Sequence, residues 1–274
     1  MGFFSWLFKK KPRQIKLGIA LGSGGAKGFA SLGALRAFEE NDLNFDIVTG
    51  TSIGSIIGAF YSNGYTSTDI GEMLKRIKFG EIANMFMLKI DMSSMANIID
   101  RYIGSLNIED LKKPFNTVAT DFETGEEKVL DSGNVAIALC ASSSMPPFFK
   151  PVEINGRKYI DGAYVNSIPA DRARILGADY VVGIDLSTET SKKTIFSKLF
   201  PTYQGKVEDP KKKGYENSNV VIHPDLTGYS ATSFSEANEM YEIGYQSAIA
   251  VIPQIKQEIE KLKKQKPKKN VKKN

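Results

Sequence analysis

Apolar residues fall along this chain in short runs whose spacing switches repeatedly between a period of two and a period of three to four. Residues 15–21 form an apolar run that ends in Gly22-Ser23-Gly24-Gly25-Ala26-Lys27-Gly28, and residues 26–40 follow with Phe29, Leu32, Leu35, Ala37 and Phe38 at helical spacing. This pattern predicts strand, glycine loop and helix. Residues 45–48 and 53–62 repeat it as a second strand and a second apolar helix. Further strands are predicted at 117–121, 180–186 and 219–222. The run Val-Glu-Ile-Asn-Gly-Arg-Lys-Tyr-Ile at 152–160 reads as a hairpin turning at Asn155-Gly156. Helical spacing recurs around 69–77, 95–103, 135–141, 169–176 and 236–264. Strands interleaved with helices predict an α/β fold with a mainly parallel central sheet covered on both faces, and ligands at the carboxyl ends of its strands.

Composition adds little to that picture except at the ends. Hydrophobic residues make up 42% of 274 residues, enough for one domain with a substantial core, expected over residues 15–260. The net charge of +5 is concentrated at the termini. Residues 1–14 begin with Phe3, Phe4, Trp6, Leu7 and Phe8, followed by Lys9, Lys10, Lys11 and Arg13. That apolar run is far short of the roughly 20 residues a bilayer span requires. It lacks the basic lead and small-residue cleavage site of a signal peptide. Two readings stay open: an interfacial anchor for an anionic membrane, or an apolar segment packed on protein. Residues 261–274, nearly all Lys, Asn and Gln, read as a solvated tail, and the absence of interleaved aromatics argues against nucleic acid as a partner. Residues 190–217, with Pro201, Gly205, Pro210 and Gly214, read as a surface insertion with a short helical piece near 195–200, either a lid or a passive excursion. Residues 79–95, with Met85, Phe86, Met87 and Leu88, suit an acyl channel, a cap or plain core. The single cysteine, Cys140, cannot form an internal disulfide and lies in an apolar run, which fits a small buried residue in a reducing, cytoplasmic setting. The oligomeric state is not readable.

Candidate chemistry begins at Gly50-Thr51-Ser52-Ile53-Gly54, a Gly-x-Ser-x-Gly pattern placed between a predicted strand and a predicted helix. There a tight turn exposes the serine hydroxyl, and the flanking glycines let strand and helix backbones approach. Ser52 is therefore the expected nucleophile. The glycine loop at 22–28 fails the phosphate-binding pattern G-x-x-x-x-G-K-[ST], and Lys27 occupies the last glycine position of G-x-G-x-x-G. The remaining reading is an oxyanion hole made by the amides of Gly24 and Gly25, supported by Gly22, Ser23, Ala26 and Gly28, with Lys27 fixing the loop or adding positive potential. Asp161-Gly162-Ala163, directly after the hairpin, reads on its own as a turn.

Taken together and in order, LGIALGSGGAKGFASLGAL, GTSIGS, ATDFETGE, ASSSMPPFFKPVEINGRKYIDGAYVNSIP and GADYVVGIDL resemble the patatin-like phospholipases over residues 16–186, with weaker similarity to about 251. Ser23 stands where the commoner triple-glycine loop has glycine, and Lys27 stands where arginine is usual. The resemblance implies a three-layer α/β/α sandwich and a Ser-Asp dyad, with Ser52 as nucleophile, Asp161 as its partner and Gly24-Gly25 in the oxyanion loop. It also implies hydrolysis of acyl esters in phospholipids, lysophospholipids or simpler lipids, without metal or cofactor. An aspartate of ordinary pKa, about 3.9, is a weak base for a serine hydroxyl, so the dyad requires a buried Asp161.

Three alternatives follow from the same residues. The chain order Ser52, Asp161, His223 is that of an α/β-hydrolase triad, and His223 is the sole histidine. The glycine loop could serve a nucleotide-binding α/β protein, and the termini a membrane-binding protein without hydrolase activity.

Overall fold

The computed structural model describes residues 14–76, 91–188 and 209–265. Its strands are β1 (Leu17–Leu21), β2 (Ile47–Gly50), β3 (Phe115–Asp121), β4 (Glu127–Leu130), β5 (Val152–Ile154), β6 (Arg157–Asp161), β7 (Tyr180–Ile184) and β8 (Val220–Ile222). The helices among the described residues are α1 (Gly28–Glu40), α2 (Ile53–Ser62), α3 (Ser67–Arg76), α4 (Ser93–Ile103), α5 (Val135–Ser143), α6 (Ala170–Ile175), α7 (Lys212–Asn217) and α8 (Ala237–Lys264). One sheet holds all eight strands in the order β5-β6-β3-β2-β1-β7-β8, with β4 also on β3. The run β3-β2-β1-β7-β8 is parallel, whereas β4, β5 and β6 pair antiparallel.

Alternation along β1 sets the layers. Ile19 and Leu21 join the larger core. Ala20 faces a second, smaller core with Ile47, Val181, Ala170, Ala173 and Ala178. On that side Gly18 leaves room for α6 and the segment after it to lie close: a Cβ there would stand 3.2 Å from the Ala173 Cβ and 2.7 Å from that of Ala178. On the larger side α1 packs against α8, whose 28 residues make it the longest described helix. A Cβ at Gly33 would lie 1.9 Å from the Tyr241 carbonyl oxygen, and one at Gly244 1.9 Å from that of Ala30, so the two helices cross with their backbones in contact.

The registers around β3 matter most for chemistry. Gly50 of β2 pairs with Thr117, and Asp161 of β6 pairs with Ala119. Because β4 occupies Thr117 to Thr120 from the opposite edge, β2 and β6 must share one edge of β3. They run in opposite directions along it, so their carboxyl ends meet head to head across a gap of about two residues.

Several expectations need adjustment. β2 begins two residues later than the predicted 45–48 and runs into Gly50. β4 was not predicted, since Glu127-Lys128-Val129-Leu130 has only one fully buried position. Residues 26–27 belong to a 3-10 turn, Gly25–Lys27, ahead of α1. Residues 212–217 of the expected surface insertion form α7. Its Lys213 pairs with Glu127 of β4 and Tyr215 hydrogen-bonds Asp185, so this part is docked on the sheet and not a free loop. The remainder of the insertion up to residue 208, the helical piece expected near 195–200, the N-terminal segment to residue 13, residues 77–90 and the tail from 266 lie outside the described residues.

Candidate active site

Ser52 occupies the turn between β2 and α2 with φ 56° and ψ −126°, a left-handed conformation costly for a side-chain-bearing residue. The flanking glycines make the turn sterically feasible. A Cβ at Gly50 would sit 2.2 Å from the Gly54 carbonyl oxygen, and one at Gly54 2.2 Å from that of Leu21. The Ser52 hydroxyl donates a 2.7 Å hydrogen bond to Asp161 Oδ2. Asp161 ends β6, is 1% exposed, and accepts the Ala163 N–H on Oδ1 at 2.8 Å. Burial pushes its carboxyl up to about 6, against the opposing pull of the Ala163 and Ser52 hydrogen bonds. The carboxylate is thus a stronger base than a solvated one yet still ionised at neutral pH.

Two buried cross-links hold these turns together. Thr51 Oγ1 donates to the Asn166 carbonyl at 2.8 Å, and the Asn166 N–H donates to that of Gly162, so the residue before Ser52 is tied to the loop after Asp161. On the other side the Ser52 N–H donates to Ser142 Oγ at 3.0 Å. Thr120 Oγ1 donates to the Asp161 carbonyl, anchoring that residue to β3.

The glycine loop faces the same point. Gly22 N–H and Ser23 N–H donate to Ile184 and Ser167 carbonyls, Ala26 N–H to that of Ala231, and Lys27 N–H to that of Gly24. The Gly24 and Gly25 amides are left without an acceptor among the described residues, and both glycines line the same cavity as Ser52. Gly25 has φ +58°, and a Cβ on it would lie 2.5 Å from the Ala231 carbonyl oxygen. Ser23 Oγ pairs with Ser167 Oγ at 2.7 Å, a link that a glycine at this position could not make. Lys27 is buried, and desolvation pulls its ammonium below the usual lysine range while nearby Asp185 opposes that shift.

Ser52, Asp161, Gly24 and Gly25 open onto a cavity of about 290 Å³ whose remaining wall is largely apolar, including Ile56, Met92, Met95, Phe148, Phe149 and Phe234. Met92 and Met95, in the described end of the 79–95 segment for which channel, cap and core were all open, line this cavity and also join the core. The partner of His223 is Asp185, with Nδ1 3.2 Å from Oδ2, not Ser52 or Asp161. Cys140 is buried, its thiol pushed up to about 12 by desolvation, as expected of a small core residue.

Sequence reasoning brought out Ser52, Asp161 and the glycine loop but passed over Ser142, Thr117 and Asn166. Ser142 is one of three consecutive serines, and Thr117 and Asn166 stand in no spaced motif, so nothing along the chain marks which hydroxyl or amide reaches the elbow. Of the apolar wall, the sequence offered residues 79–95 as one of three readings and left Phe148 and Phe149 without one.

This chain is 25% identical to lysophospholipase nte1 of Aspergillus fumigatus over 88% of its own length and 18% of that protein. It is 27% identical to human patatin-like phospholipase domain-containing protein 6 over 86% of its own length and 20% of that protein. It therefore spans about a fifth of the length of these relatives. Among solved structures, that of VipD from Legionella pneumophila matches with a TM-score of 0.50 at 13% identity, covering 89% of this chain and 67% of that one, a likeness of fold. The profile of the patatin-like phospholipases matches residues 19–174, more than half of the 274 residues. The chain belongs to the patatin-like phospholipase family.

Proposed function

We propose that this chain is a lipid acyl hydrolase working through Ser52 and Asp161. The observation that carries the reading is the 2.7 Å contact between the Ser52 hydroxyl and a fully buried carboxylate, both lining an apolar cavity. The acyl chain of a lipid ester lies along the apolar wall, which places its carbonyl carbon at Ser52 Oγ. As Oγ attacks, its proton passes to Asp161 Oδ2, and the carbonyl oxygen takes up negative charge facing the Gly24 and Gly25 amides. Collapse breaks the ester C–O bond, Asp161 returns the proton to the departing alcohol, and the acyl group stays on Ser52. Water then attacks the acyl carbon with Asp161 taking its proton, the bond to Ser52 Oγ breaks, Asp161 returns the proton to Oγ, and the fatty acid leaves. The relatives named as lysophospholipases support lipid esters as the substrate class.

A fluorophosphonate probe and fatty-acid release from lysophosphatidylcholine and phosphatidylcholine test this together. Wild type should be labelled and release fatty acid, whereas Ser52→Ala should escape labelling and lose at least about 10³-fold in kcat. Undiminished hydrolysis by Ser52→Ala would refute the assignment.

The aromatic and basic residues 3–13 and the lysines after 261 support peripheral attachment to an anionic lipid surface on the cytoplasmic side. No described helix is long and apolar enough to cross a membrane. Removing residues 1–13 should weaken binding to anionic vesicles and leave hydrolysis of a water-soluble ester unchanged; equal vesicle binding would count against attachment.

A further inference from the structure

Ser52 is held in a backbone conformation that its side chain disfavours, with φ 56°. A free elbow of this kind relaxes, and relaxation swings the hydroxyl away from its partner. Something other than the glycines must therefore hold the turn. Glycine at 50 and 54 permits the geometry but does not enforce it.

Beside the tie from Thr51 to the Asn166 carbonyl, two hydroxyls brought in from other elements reach the turn. Ser142, in the last turn of α5, accepts the Ser52 N–H at 3.0 Å. Its Oγ is 2.8 Å from Thr117 Oγ1 on β3, and Thr117 Oγ1 is 2.7 Å from the Gly50 carbonyl oxygen. Both side chains are fully buried. Thr117 Oγ1 is the donor towards both the Gly50 carbonyl and Ser142 Oγ, its single proton shared between the two acceptors, while Ser142 Oγ also accepts the Ser52 N–H. The relay leaves the turn at the nucleophile's amide and re-enters it two residues earlier, so it spans the Gly50-Thr51-Ser52 segment. Thr117 is the β3 residue that pairs with the last residue of β2, beside the gap where β2 and β6 meet. The relay thus references the nucleophile to the same strand that carries Asp161 through Ala119 and Thr120. It also consumes the Ser52 N–H, leaving oxyanion binding to other amides.

We propose that Ser142 and Thr117 are positioning residues for the nucleophile, a buried hydroxyl relay that keeps the strained elbow aimed at Asp161. The inference rests on the reading of Ser52 as nucleophile. Neither residue touches substrate; their effect is on the fraction of enzyme in which Ser52 and Asp161 are in contact. That fraction scales kcat and leaves substrate binding alone.

The test uses the full chain and two pairs of variants. Thr117→Val removes the hydroxyl at constant shape, and Thr117→Ser keeps it. Ser142→Ala breaks the relay from the other side. Ser62→Ala, at the far end of α2, removes a buried hydroxyl that has no partner among the described residues and serves as the control for a buried Ser→Ala change. We expect Thr117→Val and Ser142→Ala each to lower kcat and the rate of fluorophosphonate labelling at least tenfold with KM within twofold. Thr117→Ser and Ser62→Ala should stay within threefold of wild type, and Thr117→Val combined with Ser142→Ala should lose no more than the worse of those two alone. A kcat for Thr117→Val or Ser142→Ala within twofold of wild type would overturn the proposal. So would an equal loss in Thr117→Ser, since the hydroxyl would not then be the cause. Ser52→Ala in parallel separates the two levels: if it stays active, the nucleophile assignment fails, whereas if it is inactive and the relay variants are not, only the positioning role fails.

Discussion

At Asp161 activity and stability pull in opposite directions. Burial lifts its carboxyl to about 6 in the folded chain, against about 3.9 when unfolded. Below pH 4 both states are protonated and the group contributes nothing. Between pH 4 and 6 the unfolded chain releases its proton first, so stability falls as pH rises, and above pH 6 the full cost, about 3 kcal/mol, is present. In the proposed mechanism the same ionisation creates the base. The acid limb of kcat/KM is therefore expected at an apparent pKa near 6. Asp161→Asn should abolish turnover yet raise Tm by roughly 5 °C or more at pH 8, the gain vanishing near pH 4, as measured by thermal unfolding across pH. An unchanged Tm would mean that the carboxylate is better compensated than its burial implies. His223 makes the contrasting case. Its partner is Asp185, so His223→Ala should keep kcat within a few-fold of wild type, whereas loss of a general base costs about 10²–10⁴-fold.

The oxyanion loop and the acyl wall are properties of whole segments. Gly25 needs a positive φ and abuts the Ala231 carbonyl, so Gly25→Ala should displace the loop amides and lower kcat by about 10²-fold or more with the chain still folded. Met95 projects from α4 into the cavity wall. Met95→Trp fills space there, and the ratio of kcat/KM for short over long acyl esters should rise about tenfold, since each methylene left in water forfeits about 0.8 kcal/mol. Most elements were legible along the chain, because the strand–glycine loop–helix units and the Asn155-Gly156 hairpin carry local turn chemistry. β4 escaped notice because an exposed edge strand needs no apolar alternation. α7 escaped because its anchors, Glu127 and Asp185, are remote in sequence.

For the whole molecule the decisive contacts are those between distant segments. The α1–α8 crossing depends on Gly33 and Gly244, whose backbones touch the opposite helix. Gly244→Leu should force them apart and cost about 3 kcal/mol or more, read as a lower midpoint in urea. By itself the chain determined the α/β alternation, the exposed serine between glycines and a loop with free amides, since each is written in neighbouring residues whose backbone preferences act locally. The meeting of Ser52 with Asp161 across 109 positions was decided by the sheet: β2 and β6 end head to head on one edge of β3. The burial of Asp161, and the hydroxyls of Ser142 and Thr117 beside the elbow, arise the same way. Desolvation and buried hydrogen bonds depend on which remote segments come to lie around a group, and no local pattern of residues encodes that enclosure.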